Sequence, residues 1–440
     1  MKKHQSLGFW TLTALVIGNM LGSGVFLLPS ALASIGSITI LSWVFTGIGA
    51  ILLSLVFARL STIFPKTGGP YIYCKEGFGD FIGFQVAYNY WIYMWVGNAA
   101  IAVAFTGYLS SFFPILAQKG IAGFLATAGI LWFLTIINII GVKLAGIIQL
   151  VFTILKFVPL LLLGIVGIFY IDPVNLQQWN ISGQSNWSAI SSGAMLTLWA
   201  FLGMESACVP ADEVKNPKKN IPRATIFGTA VTAVLYIIIT IAIMGKIPPS
   251  SLQGSNAPFA DYATLLFGNT GGVAVALVAI IACVGALNGW ILLQAQIPLA
   301  AAKDKLFPER FAKLSKRRTP VFGLVVSSVL ITVLLVFNYQ KELVDQFTFI
   351  ISLAVVAALF AYLYSTIAEY MIYLKSDRKE KKFQKSLVIA ALAFLYVFWA
   401  LFSAGEEMIF YGSMLLFTSI PVYAWVQWKR EDTKSNLVAK

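Results

Sequence analysis

The chain of 440 residues is too apolar and too weakly charged to maintain a folded surface in water. Hydrophobic residues make up 59% of it and charged residues 11%, and the mean hydropathy is +0.82, whereas soluble domains are about half apolar and about a quarter charged. The only histidine is His4, the three cysteines form no CxxC pair, and no GxxxxGK[ST] loop occurs. These absences exclude histidine-based catalysis and argue against a zinc site or a nucleotide-driven pump. We therefore expect an all-α polytopic membrane protein that is not an enzyme and holds no cofactor or metal.

Apolar stretches long enough to cross a bilayer recur from one end of the chain to the other. A helix of about 20 apolar residues crosses a hydrocarbon layer roughly 30 Å thick, and hydropathy indicates about twelve such spans. Composition changes nowhere along the chain, so we expect a single transmembrane domain over residues 1–440. Within it, we expect two five-helix repeats over 8–170 and 190–373, followed by two extra helices over 386–428.

The 31 Lys and Arg residues are distributed unevenly among the connecting segments. The amino tail, every second loop and the carboxyl tail hold 27 of them, and the opposite loops hold three. This asymmetry is the positive-inside pattern, and it predicts a multi-pass protein of the plasma membrane, such as a bacterial inner membrane, with both termini in the cytoplasm. The net charge of +13 is therefore a topology signal. Scattered basic loops lack the continuous basic face that binds nucleic acid.

The first span is interrupted near its middle by the glycine-rich run GNMLGSG at 18–24. Helices in lipid satisfy their own backbone groups, so a break at this depth needs a reason. Unwinding would expose the amides of Ser23 and Gly24 at the start of a half-helix, where partial positive charge favours a carboxylate. It would also free carbonyls near Met20 to accept from an ammonium group. The alternative is that the small residues only allow close helix packing.

The fifth span contains a lysine, Lys156, about midway along its length. Lysines near the end of a span usually extend the ammonium group to the interface, which is the alternative for this residue. A lysine in apolar surroundings gives up its proton readily. Lys156 is therefore a candidate proton carrier.

The sixth span repeats the interruption in the run LWAFLGMES at 198–206. It carries an acid, Glu205, at mid-depth, where a charge is costly and usually marks a transport pathway; a purely structural acid is the alternative. Carbonyls near Trp199 and Leu202 would be freed here as well. Breaks at matching places in two halves are typical of inverted-repeat transporters with discontinuous helices 1 and 6. The pair therefore favours a substrate site.

At these motifs the chain resembles the amino acid–polyamine–organocation transporters, and among them the bacterial basic amino acid/polyamine antiporters. The resemblance covers nearly the whole chain. It includes, in chain order, GNMLGSGVFLLP (18–29), PKTGGPY (65–71), TLWAFLGMES (197–206), VKNPKKNIP (214–222) and GWILL (289–293). It implies a five-plus-five inverted repeat and secondary active transport by alternating access, with a small amino acid or amine as the substrate.

The resemblance also implies roles for residues at the matching positions. Substrate binding would involve Met20, Ser23, Gly24, Asn98, Trp199, Leu202 and Trp290. Gating or coupling would involve Tyr90, Lys156, Glu205 and Tyr362. Trp199 would close over the substrate as an aromatic gate. The alternatives are an interhelical hydrogen bond for Asn98 and ordinary packing for Trp199, Trp290 and the two tyrosines.

The expected pocket departs from the arginine/agmatine exchangers of this family. Where those have small polar groups this chain has Met94 and Ala354, with Ile101 nearby, and an apolar pocket offers little to a guanidinium with five donors. We therefore expect an exchanger of amino acids or their amine products. Two alternatives stay open: a proton-coupled or exchange permease for neutral amino acids, and a transport-dead amino acid sensor. Coupling to protons and formation of a homodimer also stay open.

Overall fold

The chain folds into helices joined by short loops in the computed structural model. The structure describes residues 7–22, 24–66, 68–118, 120–140, 145–317, 319–375 and 381–438. Helices dominate because a backbone in lipid has no water to bind, and a helix pairs its own N–H and C=O groups. Within the described ranges the only β-type pairing is an isolated bridge between Leu7 and Val214.

The first half of the chain contains eight α-helices in its described part. They are α1 (Phe9–Met20), α2 (Gly24–Ala33), α3 (Thr39–Ile63), α4 (Pro70–Phe78), α5 (Asp80–Leu109), α6 (Ile121–Ile140), α7 (Ala145–Ile168) and α8 (Pro173–Gln177). The second half contains nine more in its described part. They are α9 (Asn186–Phe201), α10 (Pro217–Lys246), α11 (Pro249–Gln253), α12 (Pro258–Lys303), α13 (Val321–Asn338), α14 (Leu343–Leu374), α15 (Lys381–Phe402), α16 (Glu406–Phe417) and α17 (Ser419–Val438).

The number of membrane-crossing helices agrees with the hydropathy of the sequence. Ten candidate spans are long and apolar enough to cross a bilayer, and the described residues add two shorter apolar segments, Thr153–Ile168 and Ser386–Phe402. The most apolar part of Asp80–Leu109 is 89% buried inside the protein, against 17% for Glu406–Arg430. Helix α5 is therefore central, and the last two helices are peripheral. The expectation of an all-helical polytopic protein is confirmed.

Both predicted interruptions are present as breaks in a span. Helix α1 ends at Met20 and α2 begins at Gly24. Helix α9 ends at Phe201, and a short 3₁₀ helix, Met204–Cys208, follows. Between them Gly203 has φ = 102°, a left-handed conformation that glycine adopts without the penalty of a Cβ atom. The second span is therefore interrupted at a residue that adopts the left-handed conformation without steric strain.

A second pair of matching features relates the two halves of the chain. In each half a short helix that starts with proline precedes the third long span. In the first half it is α4, which begins at Pro70, and in the second it is the first segment of α12, from Pro258 to a kink at Gly268. In each half a glycine connects the short helix to the long span, and the two glycines have similar backbone angles. Gly79 has φ = 94° and ψ = −175°, and Gly268 has φ = 73° and ψ = −175°. The same order of broken span, whole span, short helix and long third span supports the five-plus-five repeat. Because each repeat has an odd number of spans, the second runs through the bilayer in the opposite sense.

A charged contact fixes α4 to the end of α12. Asp304 follows the last residue of α12, and its Oδ2 accepts from Lys75 Nζ at 2.7 Å and from Tyr71 OH at 2.6 Å. Partial burial by itself raises the pKa of this carboxyl, but the hydrogen bonds from Lys75 and Tyr71 outweigh it and hold the pKa below its usual value. The contact links the short helix of the first repeat to the third span of the second.

Candidate functional site

A small cavity lined by buried residues lies between the two breaks, α5 and α12. Its wall is formed by Asn19, Met20, Gly22, Tyr93, Met94, Gly97, Asn98, Ile101, Trp199, Leu202 and Trp290. Its volume is about 20 Å³, which is room for about one water molecule. An amino acid is larger, so it fits only after part of the wall has moved.

A tyrosine from α10 holds the ends of both broken helices together. The Tyr236 hydroxyl donates to Met20 O at 2.7 Å and lies 3.1 Å from Ala200 O, near the end of α9. A phenol has one proton and can donate it to one acceptor at a time. The two breaks therefore share a single donor. A movement of either break changes which of the two carbonyls accepts the hydrogen bond.

Protein donors already occupy carbonyls that we expected to be free for a substrate ammonium group. Met20 O accepts from Tyr236 and also from Gly22 N–H at 2.8 Å, and Trp199 O accepts from Leu202 N–H at 3.2 Å. Met20 O therefore has both acceptor positions in use, whereas Trp199 O keeps one position for a substrate donor. A broken helix satisfies its last carbonyls locally where neighbouring donors allow it, and the binding of a substrate ammonium group by carbonyls near these residues stays a prediction.

Lys156 lies inside the fold. The residue is 2% exposed, and its Nζ is 3.4 Å from Gly18 O, in the last turn of α1. The carbonyl end of a helix carries partial negative charge, so a nearby ammonium group stabilises it. The position is incompatible with a side chain that extends to the membrane interface.

Both carboxylate oxygens of Glu205 accept hydrogen bonds inside the protein. Oε1 accepts from Tyr90 OH at 2.5 Å, and Oε2 accepts from Tyr362 OH at 2.7 Å and from Gly203 N–H at 3.2 Å. Glu205 is 0% exposed, and a buried charge deprived of its partners is costly. The three side chains form a clamp, the Glu205 clamp, that joins the second break to α5 and α14.

The indole ring of Trp199 lies against the backbone of α5 at Gly97. A Cβ atom at residue 97 would stand 2.7 Å from Cη2 of that ring, which is closer than atoms in contact can approach. Glycine at this position therefore allows the ring to form part of the cavity wall. Turning the ring away from Gly97 would enlarge the cavity.

Four side chains at the cavity or directly behind its wall have polar atoms with no partner in the described part of the chain. The donors are Asn19 Nδ2, Trp199 Nε1 and Gln294 Nε2, and the acceptor is Asn98 Oδ1. Buried polar atoms are normally paired, and an unpaired one costs about 1–3 kcal/mol. The unpaired donors and the unpaired acceptor around this cavity are available to a polar ligand.

The cavity brings together most of the residues that we expected to bind substrate. Five of the seven line it: Met20, Asn98, Trp199, Leu202 and Trp290. Gly24 begins α2 directly after the first break, and Ser23 lies outside the described residues. Of the apolar positions, Met94 and Ile101 line the cavity, whereas Ala354 is buried in α14 and does not.

Sequence reasoning missed four polar residues at this site: Asn19, Tyr93, Tyr236 and Gln294. Asn19 stands within the glycine-rich run, so the motif contained a signal for it. Tyr93 lies one helical turn from Tyr90 and shares its face of α5. Tyr236 and Gln294 lie in apolar stretches where a polar residue more often makes a structural interhelical contact, so no local signal distinguishes them.

Comparisons with known proteins identify the family of this chain. The sequence pattern of the family described as "Amino acid permease" matches residues 7–426. The putrescine transporter PotE of Haemophilus influenzae is 35% identical over 430 residues, which cover 97% of this chain and 98% of that protein. The cadaverine/lysine antiporter of Escherichia coli strain K12 is 33% identical over 412 residues, 92% of this chain and 91% of that protein. This chain therefore belongs to the amino acid permease family, and it is a multi-pass membrane transporter rather than an enzyme.

Proposed function

We propose that this chain exchanges an amino acid for its amine product across the membrane by alternating access. The observation that carries the proposal is the buried cavity between two broken helices, with unpaired donors and an unpaired acceptor at or behind its wall. Similar proteins are named for putrescine in one case and for cadaverine and lysine in another. We therefore propose a basic amino acid and a diamine as the substrate pair.

The head group of the substrate binds at the first break in this proposal. Asn19 Nδ2 and Trp199 Nε1 lack partners in the described residues and donate to the carboxylate. The amides of Ser23 and Gly24 add the partial positive charge of a helix amino terminus. The aromatic face of Trp199 attracts the ammonium group of the head.

The rest of the substrate lies between α5 and α12. Met20 and Leu202 pack against its carbon chain, and Asn98 contacts its far end. No acidic residue is among those that line the cavity in the described part of the chain. A cationic group at the far end of the substrate is therefore held by the side-chain oxygen of Asn98 and by the Trp290 ring, without an ion pair.

Two gates separate the cavity from the two sides of the membrane in this proposal. Trp199 closes over the substrate towards one side of the membrane, and the Glu205 clamp with Tyr90 and Tyr362 closes the path towards the other side. Each gate joins a broken helix to a neighbouring span, so a tilt of the broken helices opens one gate while the other holds. Lys156 stabilises the end of α1 while this happens.

We also propose how the chain lies in the bilayer. The repeats extend over 8–170 and 190–373, and the extra helices over 386–428. Both termini lie in the cytoplasm, because the segments on that side hold 27 of the 31 basic residues. Large apolar side chains are exposed on the extra helices, as in Phe398 and Phe402 of α15, which are 45% and 63% exposed, and we place them against lipid.

Counterflow in proteoliposomes tests the proposed function. Vesicles loaded with ornithine, lysine, putrescine, cadaverine or a neutral amino acid are diluted into labelled substrate. We expect labelled amino acid or diamine to enter only when a partner substrate is inside. Uptake that ignores the internal content would overturn exchange. Binding without any movement of label would instead favour a transport-dead sensor.

Replacing Tyr236 by phenylalanine is expected to slow exchange about tenfold. The change removes only the hydroxyl that Met20 O and Ala200 O share. One hydrogen bond is worth up to about 1.5 kcal/mol, and 1.4 kcal/mol corresponds to a factor of ten. Initial exchange rates measure the effect. The matched control is Tyr262→Phe, whose hydroxyl contacts Leu163 O at 3.5 Å, and an equal loss in both variants would contradict a special role for Tyr236.

A second candidate function is proton-coupled transport of a neutral amino acid. The observation that favours it is the buried Lys156, next to the end of α1. Lys156→Ala distinguishes the two functions. Under simple exchange the variant keeps the pH dependence of the wild-type rate, because no proton moves through residue 156. Under proton coupling the pH dependence disappears, while Lys218→Ala, an exposed control, retains it.

A further inference from the structure

A pair of buried amide side chains joins α5 to α12 at the cavity. Asn98 Nδ2 donates to Gln294 Oε1 at 2.7 Å, and both residues are 0% exposed. Asn98 lines the cavity. Gln294 lies four residues beyond the cavity residue Trp290, so the two share one face of α12. The pair therefore stands where the far end of a substrate would arrive.

Each amide of this pair keeps one atom without a partner among the described residues. These atoms are Asn98 Oδ1, an acceptor, and Gln294 Nε2, a donor. The oxygen and nitrogen of an amide are assigned from its surroundings, but the conclusion does not depend on that assignment. If both amides are turned over, the hydrogen bond between them reverses, and again one donor and one acceptor remain.

The surroundings of the pair carry no charge that would favour a cation over a neutral group. The residues that line the cavity are apolar, aromatic or amide side chains in the described part of the chain. A neutral group that both donates and accepts would satisfy both unpaired atoms at once. An ammonium group, which only donates, would satisfy one of them.

We infer that Asn98 and Gln294 together recognise the far end of the substrate side chain, and that they accept uncharged carboxamide or ureido ends as well as amines. This inference rests on the proposed function, because it takes the cavity as the substrate site. It adds a substrate class, neutral amino acids with a donor and an acceptor at the end of the side chain. It also makes Gln294 a specificity-determining residue.

Three amino acids with the same five-carbon chain test the inference. Norvaline has no polar end, ornithine ends in an ammonium group, and citrulline ends in a ureido group. Dissociation constants are measured by calorimetry on the purified protein. We expect citrulline to bind the wild type about tenfold more tightly than norvaline, which corresponds to 1.4 kcal/mol.

The test variant replaces both amides by leucine, Asn98→Leu with Gln294→Leu. Removing both partners together avoids leaving one buried amide unpaired, so the fold is expected to persist. Citrulline should lose its advantage to within about twofold of norvaline, because its affinity falls more than that of norvaline. The single variant Gln296→Leu, the same change two residues away on another face of α12, should keep the wild-type ratio.

The outcomes separate this inference from the proposed function. An unchanged ratio of citrulline to norvaline in the double variant would overturn the inference, and so would an equal loss for both ligands, which indicates a structural role. A wild type that binds citrulline no better than norvaline would overturn it as well. If the wild type bound none of the three ligands, the proposed function itself would fail.

Discussion

Replacing Glu205 by glutamine is expected to slow exchange by about a hundredfold. The carboxylate accepts three hydrogen bonds, from Tyr90, Tyr362 and Gly203 N–H. Glutamine keeps only one of the two acceptor oxygens. Its NH₂ group takes the place of the other oxygen and faces a group that donated to the carboxylate. Hydrogen bonds to a charged group are worth about 1.5–3 kcal/mol each, and about 2.7 kcal/mol corresponds to a hundredfold change.

Initial rates of ornithine or putrescine exchange in proteoliposomes measure this loss. Tyr90→Phe and Tyr362→Phe each remove one donor of the clamp and should lose about tenfold. Glu406→Gln is the matched control, because Glu406 is exposed at the start of α16, and it should exchange at the wild-type rate. A Glu205→Gln variant that folds and exchanges normally would show that the clamp does not gate transport.

Replacing Trp199 by leucine is expected to reduce exchange at least about tenfold while the fold is retained. The indole ring forms the cavity wall against Gly97, and leucine is too short to reach that surface. The substrate would then stay in contact with water, and closure over the substrate is what commits it to transport. Trp199 Nε1, a proposed donor to the carboxylate, would be lost in addition.

Exchange rate and substrate affinity are measured together for this variant. A gate role predicts a larger loss in rate than in affinity, whereas a residue that only binds would lose both in proportion. Trp428→Leu is the control for the substitution, since Trp428 is 64% exposed on α17. Equal rates for Trp199→Leu and the wild type would remove Trp199 from the gate.

The sequence by itself determined the class of fold and the places where it breaks. Runs of apolar residues about 20 long can satisfy their backbone in lipid only as helices, so the twelve apolar segments follow from composition. The glycine-rich run at 18–24 and Gly203 mark the two breaks, because glycine is the residue that tolerates an interrupted helix. Glu205 and Lys156 were recognisable because charged groups are rare at mid-depth in a membrane span.

Only the tertiary structure decided which side chains meet at those breaks. Tyr236 lies 216 residues from Met20, and Tyr90 lies 115 residues from Glu205. The periodicity of a helix indicates one of its faces but does not indicate which helix packs against that face. In lipid this limit is stronger than in water, because apolar residues cover the outside of the protein as well as its core, and hydropathy cannot distinguish the two. The hydroxyl of Tyr236 between two carbonyls and the unpaired amide of Gln294 can therefore be identified only from the packed helices, and not from the sequence.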